Sequence, residues 1–301
     1  MAAPAEPQKK SPSVLTLRII SAAVLIPIVV AAVYAGHPAW TLLVILFAGV
    51  MMWEWGRIAS RSDMVTKAQG HFAVVVTVLF TVCFLGALSF PTIWPQALRD
   101  NVGYLWLAAA ILVLIAVRPF DGVIFRRHRY WHQFGSLWFL VGIVYVNVPC
   151  IAIILLRSDP VVGLQQIFWI VAMVIAADTG AYIAGRSIGG PKLAPRISPN
   201  KTWAGLGGAV VSAAIMGAIT AFLMDRPSAW ALIVVSGLLG IVAQIGDLAE
   251  SAFKRHFGVK DASNIIPGHG GALDRVDGLI AVAAAVAGIN YLIGSSVLTW
   301  L

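Results

Sequence analysis

The chain has 301 residues, of which 59% are hydrophobic and only 11% charged, with a mean hydropathy of +0.87. A soluble domain carries about a quarter of its residues as charged side chains, so these values exclude an ordinary globular protein and indicate a polytopic membrane protein. The formal charge of +8 reads as membrane topology and attraction to anionic lipid. Nucleic acid is not expected as a partner, because no basic helix face with interleaved aromatic residues is present.

Residues 1–16, with Pro4, Pro7 and Pro12, read as a disordered tail. Crossing roughly 30 Å of hydrocarbon takes about 20 apolar residues. Such runs fall near 17–36, 38–54, 71–90, 102–117, 136–156, 163–184, 205–224, 229–246 and 279–299. The expectation is an all-α transmembrane bundle of about nine spans, with the second and fourth short. The length of the first run favours an uncleaved helix over a leader peptide.

Charge placement supports an orientation with the N-terminus inside and the C-terminus outside. On that map 18 of the 21 basic residues lie on inside segments, and only Arg99, Arg157 and Arg226 lie outside, each near an aspartate. This is the positive-inside pattern. The run "RPFDGVIFRRHRYW" at 118–131 reads as an interfacial anchor, or less directly as a headgroup site. Cys83 and Cys150 both fall within spans and form no disulfide framework or metal cluster.

The chain changes character near residue 160, dividing into a scaffold region (17–160) and a region carrying candidate chemistry (161–301). The sixth span reaches Asp178, Thr179 and Gly180 before it ends. An aspartate in the apolar region costs about 2.5–3.5 kcal/mol on insertion scales, so Asp178 sits either at the interface or facing a polar cavity. The segment "GRSIGGPKLAPRISPNKTWAG" at 185–205 has four basic residues, no acidic one and three prolines. It cannot be one helix. It is no nucleotide-binding P-loop either, lacking the Lys-Ser/Thr ending, although basic, glycine-rich backbone suits phosphate. A proline-stiffened loop that merely obeys topology is the plainer alternative.

The eighth span ends in "QIGDLAESAFKRHFG", where Asp247, Glu250 or Ser251, and Lys254 recur at helical spacing. A Glu250–Lys254 pair is worth only a few tenths of a kcal/mol and leaves Asp247 unexplained. The next stretch, "KDASNIIPGHGGALDRVDGL" at 260–279, breaks at Pro267, Gly268, Gly270 and Gly271 and starts the last helix with Asp274 and Asp277 one turn apart. Those two aspartates favour a helix N-terminus on their own. With Asp247 they also supply hard oxygen ligands suited to Mg²⁺, which binds one or two carboxylates along with substrate phosphates and waters; two divalent-metal positions, with Mn²⁺ as a substitute, fit the count. Zinc is not expected, since His269 has no Cys or His partner at ligand spacing.

Residues 251–277, "SAFKRHFGVKDASNIIPGHGGALDRVD", preceded by "GDLAES" and, further upstream, by "DTGAYIAGRSIGGPKLAPRISPNKTW", resemble the phosphatidate cytidylyltransferase (CDP-diacylglycerol synthase) family. The resemblance implies a membrane enzyme that condenses CTP with phosphatidic acid, releasing pyrophosphate. It further implies a homodimer in a bacterial inner membrane, with the site facing the cytoplasm. The roles it implies are Asp247, Asp274 and Asp277 as metal ligands and Lys254 as a catalytic lysine. Asp178, Lys192, Arg196, Ser198, Lys201, Thr202, Glu250, Arg255, His269 and Arg275 are implied around CTP, phosphatidic acid or membrane lipid. Two positions depart from the family pattern: Ala204 stands where glutamate is usual, and Gly278 where serine is common. Without the resemblance, interrupted helices and intramembrane carboxylates also fit a secondary transporter for an anionic or metal-coupled substrate.

Overall fold

The computed structural model describes residues 14–60, 67–90, 135–225 and 229–300. Eight long helices follow in order: α1 (Val14–Ala35), α2 (Ala39–Ala59), α3 (Lys67–Ser89), α4 (Gly135–Arg157), α5 (Gly163–Ser187), α6 (Trp203–Leu223), α7 (Ala229–His256) and α8 (Leu273–Ile293). A strand pair, β1 (Lys192–Ala194) and β2 (Ser198–Thr202), lies between α5 and α6, and a short α9 (Val297–Trp300) closes the chain. Seven of the helices are long and apolar enough to cross a membrane; the apolar part of α3, Ala73–Ser89, is shorter. The span expected at 102–117 and the basic run at 118–131 lie outside the described residues, as does the tail at 1–13.

Three boundaries differ from the sequence expectation. The second span is not short: α2 runs five residues past 54, because nothing in "WEWGRIA" breaks a helix. Helix α7 continues through the polar stretch 247–256 and stops before Gly258, whose φ is +67°. Helix α8 begins at Leu273, not 279, and ends at Gly294, which adopts φ +72° as a left-handed C-cap. That geometry is open to glycine and strained for other residues. The expected run to residue 299 is therefore split into α8 and α9.

The basic, proline-rich segment is a small antiparallel hairpin, pairing Lys192 with Thr202 and Ala194 with Ser198. It adds the only strands among the described residues to an otherwise helical bundle. Thr202 then caps α6, accepting the Gly205 N–H on its hydroxyl at 3.1 Å.

Packing follows two themes. Helices α5, α6 and α7 form one sequential layer, held by small residues: Gly180 of α5 abuts Gly208 and Ser212 of α6, and Gly240 of α7 meets Ala209 and Ala213. Lipid offers no hydrophobic drive for helix pairing, so close backbone approach supplies the attraction. Helix α2 packs on α3 and α4, and its aromatic end reaches α7, where Trp55 stacks on Phe253 with centroids 3.6 Å apart and donates to the Trp138 carbonyl at 2.7 Å. Several polar groups inside the bundle pair across helices. Asn147 donates to Thr81 at 3.1 Å, Trp169 to Ser236 at 3.1 Å and Asn290 to Gln166 at 2.9 Å. Large apolar residues such as Phe222 and Leu292 face outward, as expected of a surface in contact with acyl chains.

Candidate active site

The polar residues of the second half converge at one end of α5, α7 and α8. From α7, one helical face presents Gln244, Asp247, Ser251 and Lys254 in successive turns. Gln244 donates to Asp178 Oδ1 of α5 at 3.2 Å and accepts from Lys201 Nζ of β2 at 3.0 Å. Lys201 also pairs with Asp247 Oδ2 at 2.6 Å, and Ser251 donates to Asp247 Oδ1 at 3.3 Å. The hairpin thus places one of its cations on Asp247, ahead of the basic last turn of α7.

A second knot lies one turn further. Lys254, 8% exposed, pairs with Glu250 Oε2 at 2.6 Å and with Asp274 Oδ1 at 2.6 Å. Glu250 is 1% exposed, and its other oxygen is buried with no hydrogen-bond partner among the described residues. Asp274 also gathers the loop by accepting the N–H groups of Ala262 and Gly271, each at 3.0 Å to Oδ2.

Asp277 lies between the two knots. Its Oδ1 accepts the Gly278 N–H at 2.8 Å, and it lies in the electrostatic field of Asp247, Asp178 and Lys254. The approach of α7 to α8 at this level depends on Gly246: a Cβ there would come within 2.6 Å of the Asp277 carbonyl oxygen and 2.7 Å of Ala281 Cβ.

The predicted residues divide accordingly. Asp178, Lys201 and Asp247 join the first knot and Glu250, Lys254 and Asp274 the second, with Asp277 beside both. Lys192 and Arg196 stand exposed on the hairpin with Ser198 half-buried beside them. The side chains of Arg255 and Arg275 brace the loop, donating to the carbonyls of Val259 at 2.9 Å and His269 at 2.7 Å. His269 Nδ1 lies 2.7 Å from Ser21 Oγ of α1. Ala204 sits in the first turn of α6 and Gly278 in the second turn of α8.

Asp247, Asp274 and Asp277 are not gathered around one point. Among the described residues no group of three or more His, Cys, Asp and Glu side chains is set to hold a metal ion, and Asp274 is turned to Lys254 and the loop backbone. The donor chemistry nevertheless fits Mg²⁺. Five carboxylates (Asp178, Asp247, Glu250, Asp274 and Asp277) share the cluster with two ion-paired ammonium groups, Lys201 and Lys254, and Glu250 keeps an orphaned buried oxygen. An excess of hard anionic oxygens is the setting in which a divalent cation binds.

Sequence reasoning missed Gln244, which links Asp178 to Lys201, and three residues of the first half. Arg18 Nε donates to the Gly268 carbonyl at 2.8 Å, Ser21 donates to that of Pro267 at 3.2 Å, and Glu54 of α2 is fully buried against the loop. A signal for Glu54 existed: a carboxylate inside an apolar span is a functional candidate by default.

Residues 16–293 match the cytidylyltransferase family. Relatives named phosphatidate cytidylyltransferase include one from Brucella suis, 37% identical over 282 residues and covering 93% of both chains. One from Haemophilus influenzae is 31% identical over 287 residues, covering 89% of this chain and 95% of its own, and one from Staphylococcus haemolyticus is 38% identical over 189 residues, covering 62% and 70%. With the match running through the three helices that carry the acidic residues and through the basic hairpin, the chain belongs to the cytidylyltransferase family.

Proposed function

We propose that this chain transfers the cytidylyl group of CTP to phosphatidic acid, giving CDP-diacylglycerol and pyrophosphate. The carrying observation is the Lys201–Asp247 pair, which joins a cationic hairpin to the acid-bearing stretch of α7. That cluster can receive polyphosphate from the aqueous side while a lipid headgroup enters from the bilayer.

In the reaction a phosphate oxygen of phosphatidate attacks the α-phosphorus of CTP. The new P–O bond forms as the bond to the β-phosphate bridging oxygen breaks, and pyrophosphate leaves with that electron pair. The nucleophile is already an anion at neutral pH, so the chief obstacle is repulsion among phosphates. Lysine carries three N–H donors, and among the described residues Lys254 and Lys201 each have two engaged with protein. Each retains one for a phosphate oxygen. Lys192 and Arg196 supply further positive charge on the exposed hairpin, where the outer phosphates of CTP fit. Mg²⁺, which Asp247 and Asp277 would hold with Asp274 as a further ligand, would supply neutralisation of the charge that develops on the departing pyrophosphate.

The positive-inside bias supports an inside N-terminus, an outside C-terminus and a cluster facing the cytoplasm of a bacterial inner membrane. Nine spans follow if 102–117 also crosses. A homodimer, implied by the family resemblance, is read from the molar mass of the detergent-solubilised protein. The deciding experiment supplies purified protein with radiolabelled CTP, phosphatidate and Mg²⁺. Labelled CDP-diacylglycerol with stoichiometric pyrophosphate is expected. No new compound from folded protein would reject the reading and favour transport, which needs two compartments and makes no product.

A further inference from the structure

We propose that Glu54 of α2 is a positioning residue for cytidylyl transfer: it caps α8 from a different helix and thereby sets where Asp274 and Asp277 stand. The inference rests on placing the reaction at those two carboxylates.

Glu54 is 0% exposed within an apolar helix, and burying a carboxylate is costly unless its oxygens are hydrogen-bonded. Its hydrogen-bond partners among the described residues come from the far half of the chain. Oε1 accepts from the Ser263 hydroxyl and from the Ala272 N–H at 3.0 Å; Oε2 accepts from the Leu273 N–H at 2.7 Å. Ala272 is the N-cap residue of α8 and has no side-chain cap of its own. The first N–H groups of a helix lack intrahelical acceptors and carry the positive end of its dipole. Glu54 fills both requirements at the position just before Asp274.

Gly271 ties this contact to the site. A Cβ there would fall 2.8 Å from Glu54 Oε1 and 3.0 Å from Asp274 Oδ2, so the two carboxylates converge on Gly271, Asp274 accepting its N–H and Glu54 that of the next residue, Ala272. The next residue after Glu54, Trp55, stacks on Phe253 beside Lys254. Helix α2 is thereby registered to α7 and α8 together. A cap needed only for folding would show the same bonds; a positioning role adds that a small retraction of the start of α8 slows the chemical step.

The test compares full-length Glu54→Gln, Glu54→Asp, Ser263→Ala and Asp277→Asn proteins, purified in detergent and checked for monodispersity, with kcat and KM measured for CTP and phosphatidate. Both Glu54 oxygens accept backbone N–H groups, so the amide nitrogen of glutamine must face one donor with another. Misplacement of about 1 Å costs up to roughly 100-fold in rate. For Glu54→Gln the expected result is a kcat at least ~10-fold lower with both KM values within ~3-fold. Glu54→Asp keeps the charge on a shorter stem and recovers part of that loss. Ser263→Ala, which leaves both backbone N–H groups capped, stays within about 3-fold. Wild-type kcat per folded molecule in Glu54→Gln, with only thermal stability reduced, overturns the proposal. If Glu54→Gln does not yield monodisperse protein, wild-type kcat in Glu54→Asp overturns it. Loss of turnover in Asp277→Asn beside normal Glu54 variants refutes Glu54 alone, whereas normal turnover in Asp277→Asn refutes the placement of the reaction.

Discussion

Lys201 and Asp247 meet at 2.6 Å, one from a strand hairpin and the other from the midst of the polar end of α7. The side chains are 16% and 34% exposed, so the pair is screened too little to be a surface ornament and too much to be a stability anchor. Its predicted role is catalytic. Lys201→Gln is expected to lower turnover at least ~10-fold and Asp247→Asn at least ~100-fold, on the scale of a lost transition-state electrostatic contact. Because the two act as one unit, the double variant should be close to Asp247→Asn alone. Fully multiplicative losses, measured as labelled CDP-diacylglycerol formed, would separate them into independent functions.

Asp274 and Asp277 are one turn apart but differently employed, and their variants should fail differently. Asp274 holds Lys254 and two loop N–H groups; Asp274→Asn is expected to lose turnover and also lower the thermal midpoint, since a buried ammonium loses an ionic partner. Asp277 accepts one N–H from its neighbour, and Asp277→Asn is expected to lose at least ~100-fold in turnover while keeping its thermal midpoint. Asp261→Asn, at an exposed loop position, should be milder than either. Thermal unfolding followed beside radiolabel incorporation checks all three. Equal destabilisation of the Asp274 and Asp277 variants would contradict the division.

Much of this site was legible because its residues recur at helical spacing within one sequence block. The three- and four-residue steps along "GDLAESAFK" placed Asp247 and Lys254 on one face, and the glycines at 268–271 announced a turn before α8. The hairpin was legible only as a break: three prolines exclude a helix but do not specify the Lys192–Thr202 register. Glu54 was obscured because apolar periodicity ended the second span at that residue, and because its partners lie 209 to 219 positions away. No local pattern encodes such a contact. The turn of Asp274 toward Lys254 is likewise tertiary; one-turn spacing puts two aspartates on a face without saying which neighbour each meets.

The loops at 189–202 and 257–272 are separated by α6 and α7, two crossings, so they are expected on the same side of the membrane. Ser263 is unsuited as a labelling position because it is buried against Glu54; Asn200 and Asn264 are exposed. In a background with Cys83 and Cys150 replaced, Asn200→Cys and Asn264→Cys should both react with a membrane-impermeant maleimide only when the inside face is opened. Labelling of the two from opposite faces would break the topology map, and labelling of both from outside would invert it.

The contact of α7 with α8 gives the last prediction, because two glycines make opposite demands. At Gly246 an added Cβ would meet the Asp277 carbonyl oxygen at 2.6 Å and Ala281 Cβ at 2.7 Å. Both neighbours belong to α8, and one is backbone, so neither can rotate away. Gly246→Ala must push the helices apart at the level of Asp247 and Asp277. Overpacking of this kind costs about 1–3 kcal/mol, and the displaced carboxylates should lower kcat at least ~10-fold. At Gly207, on the outward face of α6, an added Cβ meets nothing within 4 Å. Gly207→Ala removes backbone freedom at no steric cost, an effect worth roughly 0.5–1 kcal/mol in favour of the helix. Its thermal midpoint should equal or exceed that of the wild type, with turnover unchanged. Thermal unfolding and CTP turnover on the two purified variants provide the comparison, and a Gly246→Ala protein as active as Gly207→Ala would show that α7 and α8 need not touch for the reaction to proceed.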